Sequence, residues 1–164
     1  MDQLNAITQF CENTEECQQK QICRYFDEVL NEDCGLCCVC QETETPKADK
    51  KNATLEARQV IQLQRQMYHL KDEIKLQDLA LTYAGSKSKD IVQKKIVNCE
   101  LHGASRKEFK TAKRCTAFVQ YLVIKGFLYE CVKSVGDRHT VFLREGNIHQ
   151  LFESPNTVFF KILM

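Results

Sequence analysis

An α+β fold, mainly helical and divided into two parts, is predicted by three features of the chain. Four thiols, Cys17, Cys34, Cys37 and Cys40, gather in one short stretch. Apolar residues at helical spacing dominate residues 54–125, and a strand–turn–strand pattern follows around Gly136. The expected layout is a zinc-binding helical hairpin over residues 1–45, a linker over 46–53 and a winged-helix domain over 54–164.

Residues 2–12 place Leu4, Ile7, Phe10 and Cys11 on one face of a short amphipathic helix. A second helix is expected from Asn13 or Thr14 to Leu30. Asn13 is its N-cap candidate, and Glu16 stands three residues on. Its apolar face would hold Cys17, Ile22, Tyr25, Phe26, Val29 and Leu30. Two short helices and a loop bury little, so metal binding would supply most of the folding free energy, on the order of 10 kcal/mol for structural zinc.

The Cys34-x-x-Cys37-x-x-Cys40 loop can aim three sulfurs at one point, and Cys17 supplies the fourth. Four thiolates at about 2.3 Å from zinc make a closed tetrahedral site with no open position. Cys17 lies near a helix N-terminus, which favours the thiolate. Cys11, Cys23 and Cys38 offer other quartets on paper. Disulfides are the ordinary alternative, but no apolar signal segment marks an oxidising compartment, and Cys99, Cys115 and Cys131 read as small core residues.

The net charge of +1 conceals an asymmetry. Residues 1–45 carry two basic and ten acidic residues, a balance of −8. The remaining 21 basic and 12 acidic residues give +9. A basic second part is the electrostatic footprint of a surface that meets phosphates. No apolar run approaches eighteen residues, so no transmembrane helix and a soluble protein are expected.

Polar residues 41–52, with Thr45-Pro46 and Lys47, Lys50 and Lys51, mark the boundary. From near Thr54, Val60, Leu63, Met67, Leu70 and Ile74 recur at steps of three and four, as in a core-facing helix. Residues 77–84 form a shorter helix that stops at Gly85. The Ser-Lys-Ser-Lys-Asp loop over 86–90 lacks the spacing of a nucleotide-binding loop.

Residues 91–110 hold apolar Ile91, Ile96, Val97 and Leu101, a turn at His102-Gly103, and then Arg106, Lys107 and Lys110. Thr111 can cap a helix over 112–125 with Cys115, Phe118, Val119, Leu122 and Val123 inward. Lys113 and Arg114 in its first turn oppose the helix dipole, which favours an anionic ligand there. Gly126 closes it. Residues 127–135 read as a strand with Phe127, Tyr129 and Cys131 on one face, 136–139 as a turn, and 140–143 as the returning strand. Helix, helix, basic-ended helix and hairpin is the order of a winged helix, whose third helix or hairpin meets DNA.

Several of these stretches together resemble a known family. They are Cys11-Glu12-Asn13 followed by Cys17, then Tyr25-Phe26-Asp27-Glu28, Cys34-Gly35-x-Cys37-x-x-Cys40 and Ala84-Gly85-Ser86-Lys87-Ser88. The combination resembles the RQC region of RecQ-family DNA helicases, Bloom-type members in particular. The resemblance implies one structural zinc on Cys17, Cys34, Cys37 and Cys40. It implies duplex-backbone contacts from Thr111, Lys113 and Arg114 and from the 86–89 loop with Ser86, Lys87 and Lys89. Arg106, Lys107 and Lys110 join this basic set, and Arg138 and His139 are the wing-tip candidates.

It further implies a nuclear ATP-dependent 3′-to-5′ helicase of DNA repair, recombination and replication. ATP and magnesium would belong to a helicase core on the same parent chain, and this portion would be non-catalytic alone. The expected partners are double-stranded and forked DNA, that core and other proteins, with no membrane. The chain departs from the family pattern at Gln18 and Gln19, where two arginines are usual, in a longer 91–110 stretch, and in a wing turn with no aromatic residue. The rival reading is a zinc and winged-helix protein-interaction module. A sequence-specific transcription factor is a third.

Overall fold

The computed structural model describes residues 6–8, 10–11, 16–41, 50–93, 95–109, 111–154 and 158–161. The chain separates into two compact units, residues 1–48 and 49–164.

In the first unit residues 6–8 and 10–11 are helical, while the rest of the helix expected over 2–12 and the Asn13 cap lie outside the described residues. The next helix, α1, spans Gln18–Tyr25, not 13–30. Cys17 is its N-cap, with ψ 124 outside the helical range, so the chain enters from an extended conformation. Termination comes from a Schellman motif: Glu28 N–H donates to Cys23 O (2.8 Å) and Asp27 N–H to Arg24 O (3.1 Å), with Asp27 at φ 58. Tyr25, Phe26 and Val29 therefore leave the expected apolar face and stand 64%, 68% and 85% exposed. A short helix, α2, covers Cys38–Gln41.

The second unit opens with strand β1, Lys50–Asn52, inside the stretch expected to be linker. Helix α3, Thr54–Leu70, buries Ala57, Val60, Ile61, Leu63 and Met67 along one stripe. It ends before the expected Ile74: Leu70 is exposed, and residues 71–75 are not helical. Ile74 reaches the core from that connecting segment, and its carbonyl accepts from Leu143 N–H at 2.7 Å.

Helix α4, Leu76–Ala84, closes in a second Schellman motif, with Ser86 N–H donating to Leu81 O and Gly85 N–H to Thr82 O. Helix α5, Lys89–Gln93, takes up part of the expected loop, and two 3₁₀ turns, Ile96–Asn98 and Ala104–Lys107, carry the chain onward. Helix α6 spans Ala112–Ile124.

Strands β2, Leu128–Val135, and β3, Arg138–Glu145, pair antiparallel about a two-residue turn, Gly136–Asp137. Leu128 and Phe127 are buried at the hairpin base, while Tyr129, expected on one face with Phe127, is exposed. The core decides this, since Leu128 lies diagonal to buried Leu143 on the same face of the hairpin. Cys99 and Cys115 are buried, but Cys131 is only half-buried on the hairpin.

Helix α7, His149–Glu153, is followed by β4, Phe159–Lys161, which pairs antiparallel with β1 in the register Asn52 with Phe159. The apolar C-terminal strand thus closes onto its own chain, and residues 162–164 lie outside the described set. Phe109, Phe118 and Phe160 form an aromatic cluster with centroids 4.7 to 6.0 Å apart, joining the 91–110 stretch, α6 and β4. This helix, helix, helix, hairpin order is a winged helix. No described helix is long and apolar enough to cross a membrane.

Candidate metal centre and nucleic-acid interface

The Sγ atoms of Cys17, Cys34, Cys37 and Cys40 all lie within 4.8 Å of one another. Cys37 and Cys40 sulfurs are 3.4 Å apart and those of Cys34 and Cys40 4.0 Å. Sulfurs about 2.3 Å from one zinc in a tetrahedron stand about 3.8 Å apart, so the cluster already has the dimensions of a zinc site. Among the described residues Cys11, Cys23 and Cys38 take no part in it, and no disulfide is present.

Backbone amides pre-arrange the cluster. Cys34 N–H donates to Cys17 Sγ at 3.3 Å and Cys37 N–H to Cys34 Sγ at 3.4 Å. Amides at the start of α1 add to this effect, that of Gln18 on Cys37 and that of Lys20 on Cys17. These bonds favour thiolate over thiol. The Cys37 thiol is lowered to about 6, chiefly by the Gln18 N–H, and that of Cys17 is lowered chiefly by the Cys34 N–H. Cys40 is pushed up to about 12, mainly because its hydrogen bond with Cys37 stabilises its thiol. Two ion pairs, Lys20–Asp33 at 2.9 Å and Arg24–Glu16, brace α1 around this centre.

In the second unit Thr111 occupies the N-cap of α6, and its Oγ1 accepts from Arg114 N–H at 3.3 Å. Lys113 is exposed and Arg114 half-buried, with no acidic residue in that first turn. The buried Cys115 thiol donates to Ser105 Oγ at 3.1 Å, fixing the helix to the 3₁₀ turn that carries Arg106. Burial raises the Cys115 thiol, so it stays neutral.

Arg106 in turn donates to Gly85 O at 3.2 Å, and His102 Nε2 lies 3.0 Å from Ser86 O. The guanidinium lies over Gly85 and Gly103, both at φ 77. A Cβ on Gly85 would meet it at 2.7 Å and the Gly103 Cα at 2.8 Å. Only glycine allows that close approach. Three separate segments, 86–89, 104–107 and 111–114, are thereby bonded together. From them project Lys87 and Lys89, both exposed, and Lys113 and Arg114.

Arg106, expected only as a phosphate contact, has a second task as the clasp between these segments. Lys107 belongs to the 3₁₀ turn. Lys110 lies outside the described residues. Arg138 and His139 are not at the turn: they are the first two residues of β3, paired with Val135 and Ser134, because the two-residue turn is shorter than expected. His139 Nδ1 is bonded across the hairpin to Ser134 Oγ at 2.7 Å.

The family model for RecQ zinc-binding matches residues 1–41, and that for the RQC domain matches residues 47–154. The chain belongs to the RecQ helicase family. It is an RQC region, the DNA-binding module of such helicases, and its four-cysteine cluster is the seat of one structural zinc. No curated protein matches the chain at a significant level.

The clasp is hidden from sequence reasoning. Its one trace there is a pair of glycines, Gly85 and Gly103, each at the end of an apolar run, with an arginine three residues after the second.

Proposed function

We propose that this RQC region grips the phosphate backbone of duplex or forked DNA for a Bloom-type, ATP-dependent 3′-to-5′ helicase. The first turn of α6 and the 86–89 loop would form the grip, and the β2–β3 hairpin would stand at the strand junction. The observation that carries this reading is the bonding of three basic segments through Ser105–Cys115 and Arg106–Gly85, which fixes Lys87, Lys89, Lys113 and Arg114 on one scaffold. Such contacts supply affinity and position without reading sequence.

The hairpin is held for such a role at its base and side. Leu143 N–H bonds to Ile74 O, and Lys133 Nζ lies 2.7 Å from Glu73 Oε1. Its turn, Gly136–Asp137, offers no ring to stack on a terminal base pair, so the wing would act through the cation beside it, Arg138. The ATPase chemistry, with ATP and magnesium, would reside in a helicase core on the parent chain. The same reading places the protein in the nucleus, in repair, recombination and replication.

A salt series on a forked duplex tests it. Affinity should fall by about tenfold or more between 50 and 200 mM salt whatever the sequence. Lys113→Ala with Arg114→Ala should flatten the log–log slope by about 0.9 for each phosphate that the variant no longer neutralises. An unchanged slope in that variant, or no binding at all, would turn the basic face into a protein-binding surface.

A further inference from the structure

A second surface of the winged-helix unit interleaves arginines with exposed rings. Arg144 lies 4.4 Å from the Tyr68 ring centroid and 4.9 Å from that of Phe142. Tyr129, the cross-strand partner of Arg144, is 47% exposed, and Tyr68 is 40% exposed. On the same helix as Tyr68, Arg65 lies 5.8 Å from the Phe152 ring, itself 41% exposed. Arg65 is held by a bidentate pair with Glu145, at 2.6 and 2.9 Å, which fixes the geometry of the stripe. Tyr68, Tyr129, Arg65 and Arg144 line an open cleft of about 440 Å³ between α3 and the hairpin base.

Exposed rings are costly unless they meet something. Here three of them alternate with guanidinium groups on a unit whose sequence carries a large positive excess. That combination suits unpaired nucleotides: bases stack on aromatic faces, arginine planes extend the stack, and cations offset the phosphates. A duplex, whose bases are already stacked, cannot use the rings.

We infer that the Tyr68–Arg144–Tyr129 face, continued toward Arg65 and Phe152, is a stacking track for single-stranded DNA, separate from the basic grip at α6. The inference rests on the DNA-binding reading of the module and adds a second class of ligand to it. In a fork, one face would hold the duplex and the other a strand that has left it.

The intact chain, loaded with zinc, is titrated with an oligothymidine of about 16 nucleotides and with a blunt duplex, both at low salt. Tyr129→Ala should weaken oligothymidine binding by about fivefold or more, the low end of one lost base–ring stack, with duplex binding unchanged. Tyr129→Phe should bind both like the parent, because the ring and not the hydroxyl does the stacking. Lys113→Ala with Arg114→Ala should do the reverse, weakening the duplex more than the oligothymidine.

The inference is overturned if the parent chain ignores oligothymidine. It is also overturned if both Tyr129→Ala and Tyr68→Ala bind it normally, or if Tyr129→Ala weakens both probes equally. Failure of duplex binding, with oligothymidine binding kept and sensitive to Tyr129→Ala, would sink the duplex-grip reading and leave this one standing.

Discussion

The two units of this RQC region are stabilised by different physics. In the first, Cys17 is the one buried apolar side chain among the described residues, and neither α1 nor α2 buries any residue. In the second, a continuous core runs from Ala53 through the Phe109–Phe118–Phe160 cluster to Val158. A short helical hairpin with Tyr25, Phe26 and Val29 in solvent has no hydrophobic means of offsetting its chain entropy. Metal coordination must do so, at about 10 kcal/mol or more. The winged helix needs no metal because burial suffices.

The sharpest way to break that contrast is to remove a ligand. Cys34→Ser should take zinc from one per chain to none, measured on the purified protein, and abolish helical structure in the first unit. A thermal transition from the second unit should survive. Next in size is the core of the second unit. Phe118→Ala, at the centre of the aromatic cluster, should cost about 3–5 kcal/mol in denaturant unfolding of the winged helix. Zinc stoichiometry should not change.

A smaller effect tests the clasp. Gly85→Ala places a Cβ against Arg106 and Gly103 at a left-handed backbone position, which should cost at least about 1–2 kcal/mol. It should also weaken duplex binding, because the 86–89 loop loses its anchor, whereas Phe118→Ala should leave binding intact at temperatures where the unit stays folded. The smallest effect concerns the wing. Glu73 is held below its ordinary value of 4.5, first by its hydrogen bond from Lys133. A depressed carboxylate stabilises the fold above the unfolded value, and the contribution is lost as pH falls through the lower folded value. Melting followed between pH 5 and 3 should therefore lose part of its acid sensitivity in Glu73→Gln, with no change at pH 7 beyond the loss of the pair itself.

What could be read from the sequence was local chemistry. The cysteine spacing gave the ligands, Thr111 just before the apolar-periodic run from Ala112 gave the α6 cap, and Gly85 gave the end of α4. The cap, the helix end and the Cys34–Cys40 loop each depend on residues within a few positions of one another, and Cys17 stands seventeen residues before Cys34.

The features that escaped depend on distance or on backbone. Asp27 ends α1 by entering the left-handed region, a role usually taken by glycine, so the run Tyr25, Phe26, Val29, Leu30 imitated a longer helix. Strand β1 is polar in sequence and exists through its pairing with β4, over a hundred residues away. The Arg106 clasp and the Arg144–Tyr68 contact are likewise invisible until the chain folds.

The measurement that bears most directly on the contrast between the units is amide hydrogen exchange on the intact chain, with zinc bound and after chelation. Chelation should remove protection from residues 18–25 and 34–41 while residues 57–67 and 115–122 keep theirs. Equal loss of protection in both units would contradict the account, as would full retention in the first.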